Sequence, residues 1–256
     1  MNRLITIYNR ELGSYFISPI AYIVMAVFMI VTGMIFYSNV VFYAQASAMS
    51  LQNPRFGQLI LAEDFIRPLF DNICVILLFM SPALTMRLFS EEKRSGTIEL
   101  LMSYPIRDTE IILGKFLACL TFLVIMTLLT SCYPIFLYLT GNPEIGPFLT
   151  AYLGFFLMGA VFLSIGVFTS SMTENQIIAA LFAFGINLVM WIIGWTGGGS
   201  DGGVMSDVFK YISIIEHYDP LVKGVLNSQD IIYFISMSGL FLFLAHRVLI
   251  ARKLRG

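Results

Sequence analysis

The chain has 256 residues, of which 58% are hydrophobic and only 12% charged, with 23 Phe and 14 Met among them. A water-soluble domain is excluded at this apolar content. The formal net charge of −1 offers no basic excess for holding nucleic acid, so the positions of the charges carry more information than their sum.

The opening stretch MNRLITIYNRELGSYF is not followed by a short apolar core with a small-residue cleavage site, so the N-terminus is expected to be retained. Leu4, Tyr8, Leu12 and Tyr15 recur at helical spacing while Arg3, Thr6, Arg10 and Gly13 fall opposite. This pattern predicts an interfacial helix over 1–17, acting either as a solvated anchor or as a docking element. Glu11 lies on the apolar arc beside Leu4 and Tyr15, where a carboxylate needs a cation, and Arg94 is a candidate for it. Ser18-Pro19 then ends this helix and starts the next, because proline's missing N–H costs nothing in a first helical turn.

About 20 mainly apolar residues are needed for a helix to cross a hydrocarbon core. Six stretches satisfy that: 19–43, 68–86, 112–139, 148–170, 176–195 and 231–250. The fold class expected is therefore an all-α integral membrane protein, a single transmembrane domain over 1–256. Arg and Lys in short loops resist translocation. Eleven of the fifteen fall before the first span, between spans two and three, or at the end of the chain, counting Lys115 and Arg247 at the inner ends of spans three and six, which predicts that both termini are cytoplasmic.

Outside the membrane, residues 44–67 and 197–230 are too long for tight turns. The second begins with a run of glycines over 197–203 that cannot readily hold a helix. It continues with an amphipathic stretch over 204–226, read as a re-entrant or interface-lying hairpin before span six.

The inner loop, 87–111, is the most polar part of the chain. Ser95-Gly96-Thr97 interrupts the helix leaving span two, and 98–103 give one or two turns with Leu100 and Leu101 exposed before Tyr104-Pro105 stops them. Asp108 is expected to cap the helix leading into span three, with Glu110 at its positive end. A short helix across the end of the bundle, carrying an apolar knob and charges, suits a groove on a soluble partner.

Few ionisable groups fall within the spans, where they usually mark a pathway. Asp71 lies one turn from Arg67, which predicts an i, i+4 pair lining an outer vestibule, and Arg247 reads as snorkelling to the headgroups. Glu216, His217 and Asp219 cluster before Pro220, but three adjacent loop residues do not close a metal coordination set. Cys74, Cys119 and Cys132 lack metal spacing and read as free buried thiols.

The inner loop resembles the coupling segment of ABC-2 type permeases, a Glu-rich stretch, then Gly-Thr-x-Glu-x-Leu, then Pro and Gly-Lys. The matching residues are Glu91, Glu92, Gly96, Thr97, Glu99, Leu101, Pro105, Gly114 and Lys115. NRELGSYFISPIAY is similar to the same family's N-terminal connecting helix, with Arg10 and Glu11 in it. EHYDPLVKGVLNSQDIIYF resembles the ending of a subgroup that includes gliding-motility-associated permeases and nitrous-oxide-reductase maturation permeases.

The resemblance implies an inner-membrane permease of bacteria that pairs with a second permease copy, as homodimer or heterodimer, and is driven by a cytoplasmic ATPase subunit. ATP and Mg would then sit on that partner, with no cofactor on this chain. A membrane-anchored periplasmic subunit is a further candidate partner, contacting Arg67, Asp71, Glu216, His217 and Asp219. The residues expected to couple to the ATPase are Glu91, Glu92, Arg94, Gly96, Thr97, Glu99, Leu100, Leu101 and Pro105. Independently of the resemblance, the chain has no G-x-x-x-x-G-K-[ST] loop to cradle phosphate. The alternative function is a scaffold or mechanical transmitter for a periplasmic or motility machine without solute flux; an intramembrane enzyme is disfavoured because no nucleophile and base can be assembled.

Overall fold

The computed structural model describes residues 3–52, 61–99, 106–140, 145–197 and 204–253. All regular structure among them is helical: α1 (Arg3–Ile17), α2 (Pro19–Gln52), a π-helical turn (Ala62–Ile66), α3 (Arg67–Thr85), α4 (Ser90–Arg94), α5 (Asp108–Leu129), α6 (Cys132–Thr140), α7 (Ile145–Met172), α8 (Gln176–Gly197), α9 (Val204–Ile212), α10 (Ile214–Val222) and α11 (Ser228–Lys253). Six segments are long and apolar enough to cross a membrane: Pro19–Ser50, Glu63–Arg94, Asp108–Leu139, Ile145–Met172, Gln176–Gly194 and Ser228–Lys253. In lipid each helix satisfies its own backbone, which is why such runs fold as helices.

The spans are not equivalent. In their most apolar windows 67% of α3 and of α7 is buried against protein, but only 17% of α2 and of α11. α7 is the hub, packing against α11, α3, α8, α10 and α5. Its small residues permit this: a Cβ on Gly166 would lie 1.9 Å from Thr85 Oγ1, and one on Gly159 would lie 2.4 Å from Leu123 Cδ2. Close backbone approach replaces the hydrophobic driving force that helices lack inside lipid.

Several expectations need correction. The first span does not end near Tyr43: α2 continues to Gln52, so much of the expected outer segment 44–67 is helix. The third span is not continuous but breaks at Thr130–Ser131. Pro134 has no N–H to return to the carbonyl of Thr130, and that oxygen is taken instead by Tyr133 N at 3.0 Å and the Tyr152 hydroxyl at 2.9 Å. Cys132, beside this break, is exposed, whereas Cys74 and Cys119 are buried. Asp108 does not cap α5: Glu110 reaches back to accept from Arg107 N at 3.1 Å.

The expected hairpin over 204–226 is two nine-residue helices meeting at Ser213, whose hydroxyl accepts from Glu216 N. α10 is the buried limb, with Ile214, Tyr218, Leu221 and Val222 in the core against α7. Gly154 leaves room for Tyr218 and Leu221, since a Cβ there would approach both within 3.2 Å. Gly224, at φ +91, turns the chain out of α10 toward α11, a conformation open to glycine without strain.

Candidate functional site

α1, α4, the start of α5 and the far end of α11 lie at one end of the bundle, joined by ion pairs. Lys253 reaches Asp108 at 3.9 Å and Arg252 reaches Glu174 at 3.1 Å. At this end α1 is docked against α5 rather than merely laid on a surface, with Ile7 and Glu11 as its buried residues. Gly114 makes the docking possible, because a Cβ there would stand 2.9 Å from Ile7 Cγ2 and 3.4 Å from the Leu4 carbonyl.

One residue further along α5, Lys115 is 1% exposed and faces the same helix. Its ammonium lies 3.0 Å from Glu11 Oε1 and 3.0 Å from Glu92 Oε1. Arg10 closes the ring from the solvent side, at 2.7 Å from each of the same two carboxylates. Four charges from α1, α4 and α5 thus neutralise one another where a lone buried ion would be costly. Burial pushes the Glu11 carboxyl up, but the Lys115 ammonium and hydrogen bonds from Arg10 and Lys115 outweigh it and hold it below the usual carboxylate range.

The same residues also solve a backbone problem. Between the end of α3 and the start of α4 the helix is broken, and carbonyls there lose their intrahelical donors. Leu88 O accepts from Lys115 Nζ at 2.7 Å, Leu84 O from the Tyr15 hydroxyl at 2.8 Å, and Met86 O from Ser170 Oγ at 3.1 Å. Ser170 Oγ in turn accepts from Phe89 N and Ser90 N. Lys93 Nζ donates to Ser171 O in the last turn of α7, where a cation also meets the helix's negative end. The break is therefore built into three other helices, α1, α5 and α7.

The expected coupling residues fall around this knot. Glu92 is part of it; Glu91, Arg94, Thr97 and Glu99 are exposed beside it; and Gly96, at φ +72, makes the turn after α4. Thr97 Oγ1 donates to Glu92 O at 3.3 Å. Ile98 is buried at 1% exposure. Leu100, Leu101 and Pro105 lie outside the described residues. Arg94 is not the partner of Glu11: it is exposed, and the cations on Glu11 are Lys115 and Arg10. Lys115 appears in the sequence reading only as the end of the Gly-Lys match and among the inner-side charges; its pairing with Glu11 and Glu92 is missed there, although a single lysine seven residues into an apolar helix is itself a signal. A cleft of about 290 Å³ opens next to the knot, lined by Glu11, Tyr15, Ser18, Leu84, Arg87 and Lys115 among others.

At the opposite end Arg67 pairs chiefly with Asp219, at 2.6 Å, and only loosely with its helical neighbour Asp71, at 3.9 Å. The i, i+4 pair expected there is thus secondary, since α10 brings a better-placed carboxylate that Lys223 also contacts. Glu216 is exposed. His217 is buried and bonded to Asp230, so the expected trio divides among three environments. Among the described residues no group of three or more His, Cys, Asp or Glu is placed to hold a metal.

Six apolar spans, a helix docked at their termini end and an ion-paired polar segment there define a multi-pass membrane protein with a built cytosol- or exterior-facing platform. The family model of ABC-2 family transporter proteins matches residues 5–251, and the chain belongs to that family. Its members are the membrane subunits of ABC transporters rather than the catalytic ATPases. No curated protein matches the chain.

Proposed function

We propose that this chain is the permease subunit of an ATP-driven ABC-2 type transporter, with both termini in the cytoplasm of a bacterium and the knot facing a separate ATPase. The observation that carries this reading is the Arg10–Glu11–Glu92–Lys115 ring, which fastens α1 and α4 to α5 beside the exposed Glu91, Arg94 and Glu99. A push on this platform is delivered at once to α5 through Lys115 and to α7 through Ser170 and Lys93. Closure of the ATPase would then rock the spans between inward- and outward-open states. A second permease copy completes the transporter, and the α9–α10 hairpin faces the periplasm. Within the family, EHYDPLVKGV supports placement beside the gliding-motility-associated and nitrous-oxide-reductase maturation permeases.

The test is coupled activity in nanodiscs. Replacing Glu99 and Leu101 together is expected to abolish both ATPase binding and stimulation; unchanged binding and stimulation would remove the reading.

A second reading, a transmitter that moves a periplasmic partner without solute flux, draws on the outer cluster of Arg67, Asp219 and Lys223. Vesicles containing motor, permease and partner separate the two. Vectorial flux supports export, and ATP-dependent rearrangement of the partner without flux supports transmission.

A further inference from the structure

The outer hairpin is fastened to α11 by a polar clasp whose hydrogen bonds close only around one form of a histidine. His217, on α10, is buried. Its Nδ1 lies 2.7 Å from Asp230 Oδ1 in the first turn of α11, and its Nε2 lies 3.1 Å from the carbonyl of Tyr211 in the last turn of α9. With Asp230 ionised, both partners are acceptors. A neutral imidazole has one donor and one acceptor nitrogen, so it leaves a lone pair facing an oxygen on one side or the other; only the imidazolium donates at both.

Three further features favour a cation there. The Tyr233 ring is stacked on the imidazole at 4.0 Å between centroids and 22° between planes, presenting its electron-rich face. Tyr211 O belongs to the negative end of α9. The other oxygen of Asp230, Oδ2, is buried without a hydrogen-bond partner among the described residues, so that carboxylate has His217 as its counter-ion. The Tyr233 hydroxyl completes the clasp by donating to Ile212 O at 2.5 Å. Thus α9, α10 and α11 meet at one ring.

The other charged groups around α10 are already engaged or face solvent. Asp219 is held by Arg67 and Lys223, with Asp71 of α3 near Arg67. Glu216 on α10 and Asp207 and Lys210 on α9 are exposed. α7 places Gly154 against Tyr218 and Leu221 of this helix, and Tyr218 itself and Cys74 of α3 are buried there.

We infer that His217, Asp230, Tyr211 and Tyr233 form a proton-operated clasp: the doubly protonated ring holds the α9–α10 elbow to α11, and loss of that proton releases it. Opening hands the ring back to water, where either form is satisfied. The sign follows: the clasp is tight at low pH and loosens as pH rises. This inference stands on the hairpin's geometry and does not depend on ATPase coupling.

The direct test uses the native chain in nanodiscs with ¹⁵N-labelled histidine. The chain has only two histidines, and a His246→Gln variant assigns the signals. The expected spectrum at pH 6 shows both nitrogens of His217 protonated, and hydrogen exchange of amides 211–216, corrected for intrinsic rates, accelerates as that proton is lost. The increase approaches tenfold per pH unit where opening releases one proton. In Asp230→Asn, which retains an oxygen acceptor but not its charge, protection at pH 6 should drop toward the high-pH level of the native chain. A singly protonated His217 ring at pH 6 with the elbow still protected would overturn the clasp. So would an elbow whose protection is the same from pH 5.5 to 8.5, a reading that needs no variant to fold.

Discussion

Lys115 Nζ lies 3.0 Å from Glu11 Oε1, joining residues 104 positions apart and seating α1 on α5. Removing one partner of a buried pair typically costs about 3–5 kcal/mol because the other charge is stranded. The loss for Lys115→Met is expected to be smaller, since Arg10 remains 2.7 Å from Glu11. Thermal unfolding in detergent should show Lys115→Met well below the wild type and the Lys115→Met, Glu11→Gln double variant partly restored. Equal additive losses would show that the two do not act as a pair.

Gly114 should be as sensitive as its charged neighbour. Adding a methyl group puts a Cβ 2.9 Å from Ile7 Cγ2, so Gly114→Ala should loosen α1 and Gly114→Val should detach it. Limited trypsin cleavage at Arg10 reports this, and its rate is expected to rise in that order.

The seam between α3 and α7 gives a paired prediction. Gly166→Ala drives a methyl group to within 1.9 Å of Thr85 Oγ1 and 2.6 Å of its Cβ, while Gly185→Ala meets nothing within 4 Å. Overpacking costs about 1–3 kcal/mol, so Gly166→Ala should lower the melting temperature. Gly185→Ala should leave it level or slightly raised, because alanine is the better helix former.

Acid should release α1. Glu11 is held below its ordinary value of 4.5 by Lys115 and Arg10 despite burial. A depressed carboxylate contributes stability that is full above the ordinary value and is lost as pH falls through the depressed one. Protection of Arg10 from an acid-active protease should therefore persist at pH 5 and disappear at lower pH. In Glu11→Gln this acid step should be absent.

Much of the architecture is legible in the sequence because bilayer thickness and backbone hydrogen bonding leave one solution for an apolar run of 20 residues. The Ser18–Pro19 break follows from proline's lack of an N–H, and the burial of Glu11 from helical periodicity. The missing parts depend on tertiary partners. Lys115 has no partner near it in sequence until α1 and α4 bring Glu11 and Glu92 each within 3.0 Å. Arg67 has a plausible local partner in Asp71 until α10 brings Asp219 within 2.6 Å. Asn187 and Ser81, hydrogen-bonded at 3.1 Å between α8 and α3, have no local signature at all. Pro134 is a local cue to the break in the third span, but apolar flanks on both sides conceal it in a hydropathy count.

The central claim, that the ion-paired platform is where a separate ATPase engages, is tested most directly by co-purification from native membranes in mild detergent. Wild-type chain is expected to retain a soluble protein carrying G-x-x-x-x-G-K-[ST]. The Glu99→Ala, Leu101→Ala double variant is expected to lose it by at least about tenfold, a weakening of roughly 1.4 kcal/mol. An equal yield of that ATPase with both chains, or its absence from the wild type, would contradict the account.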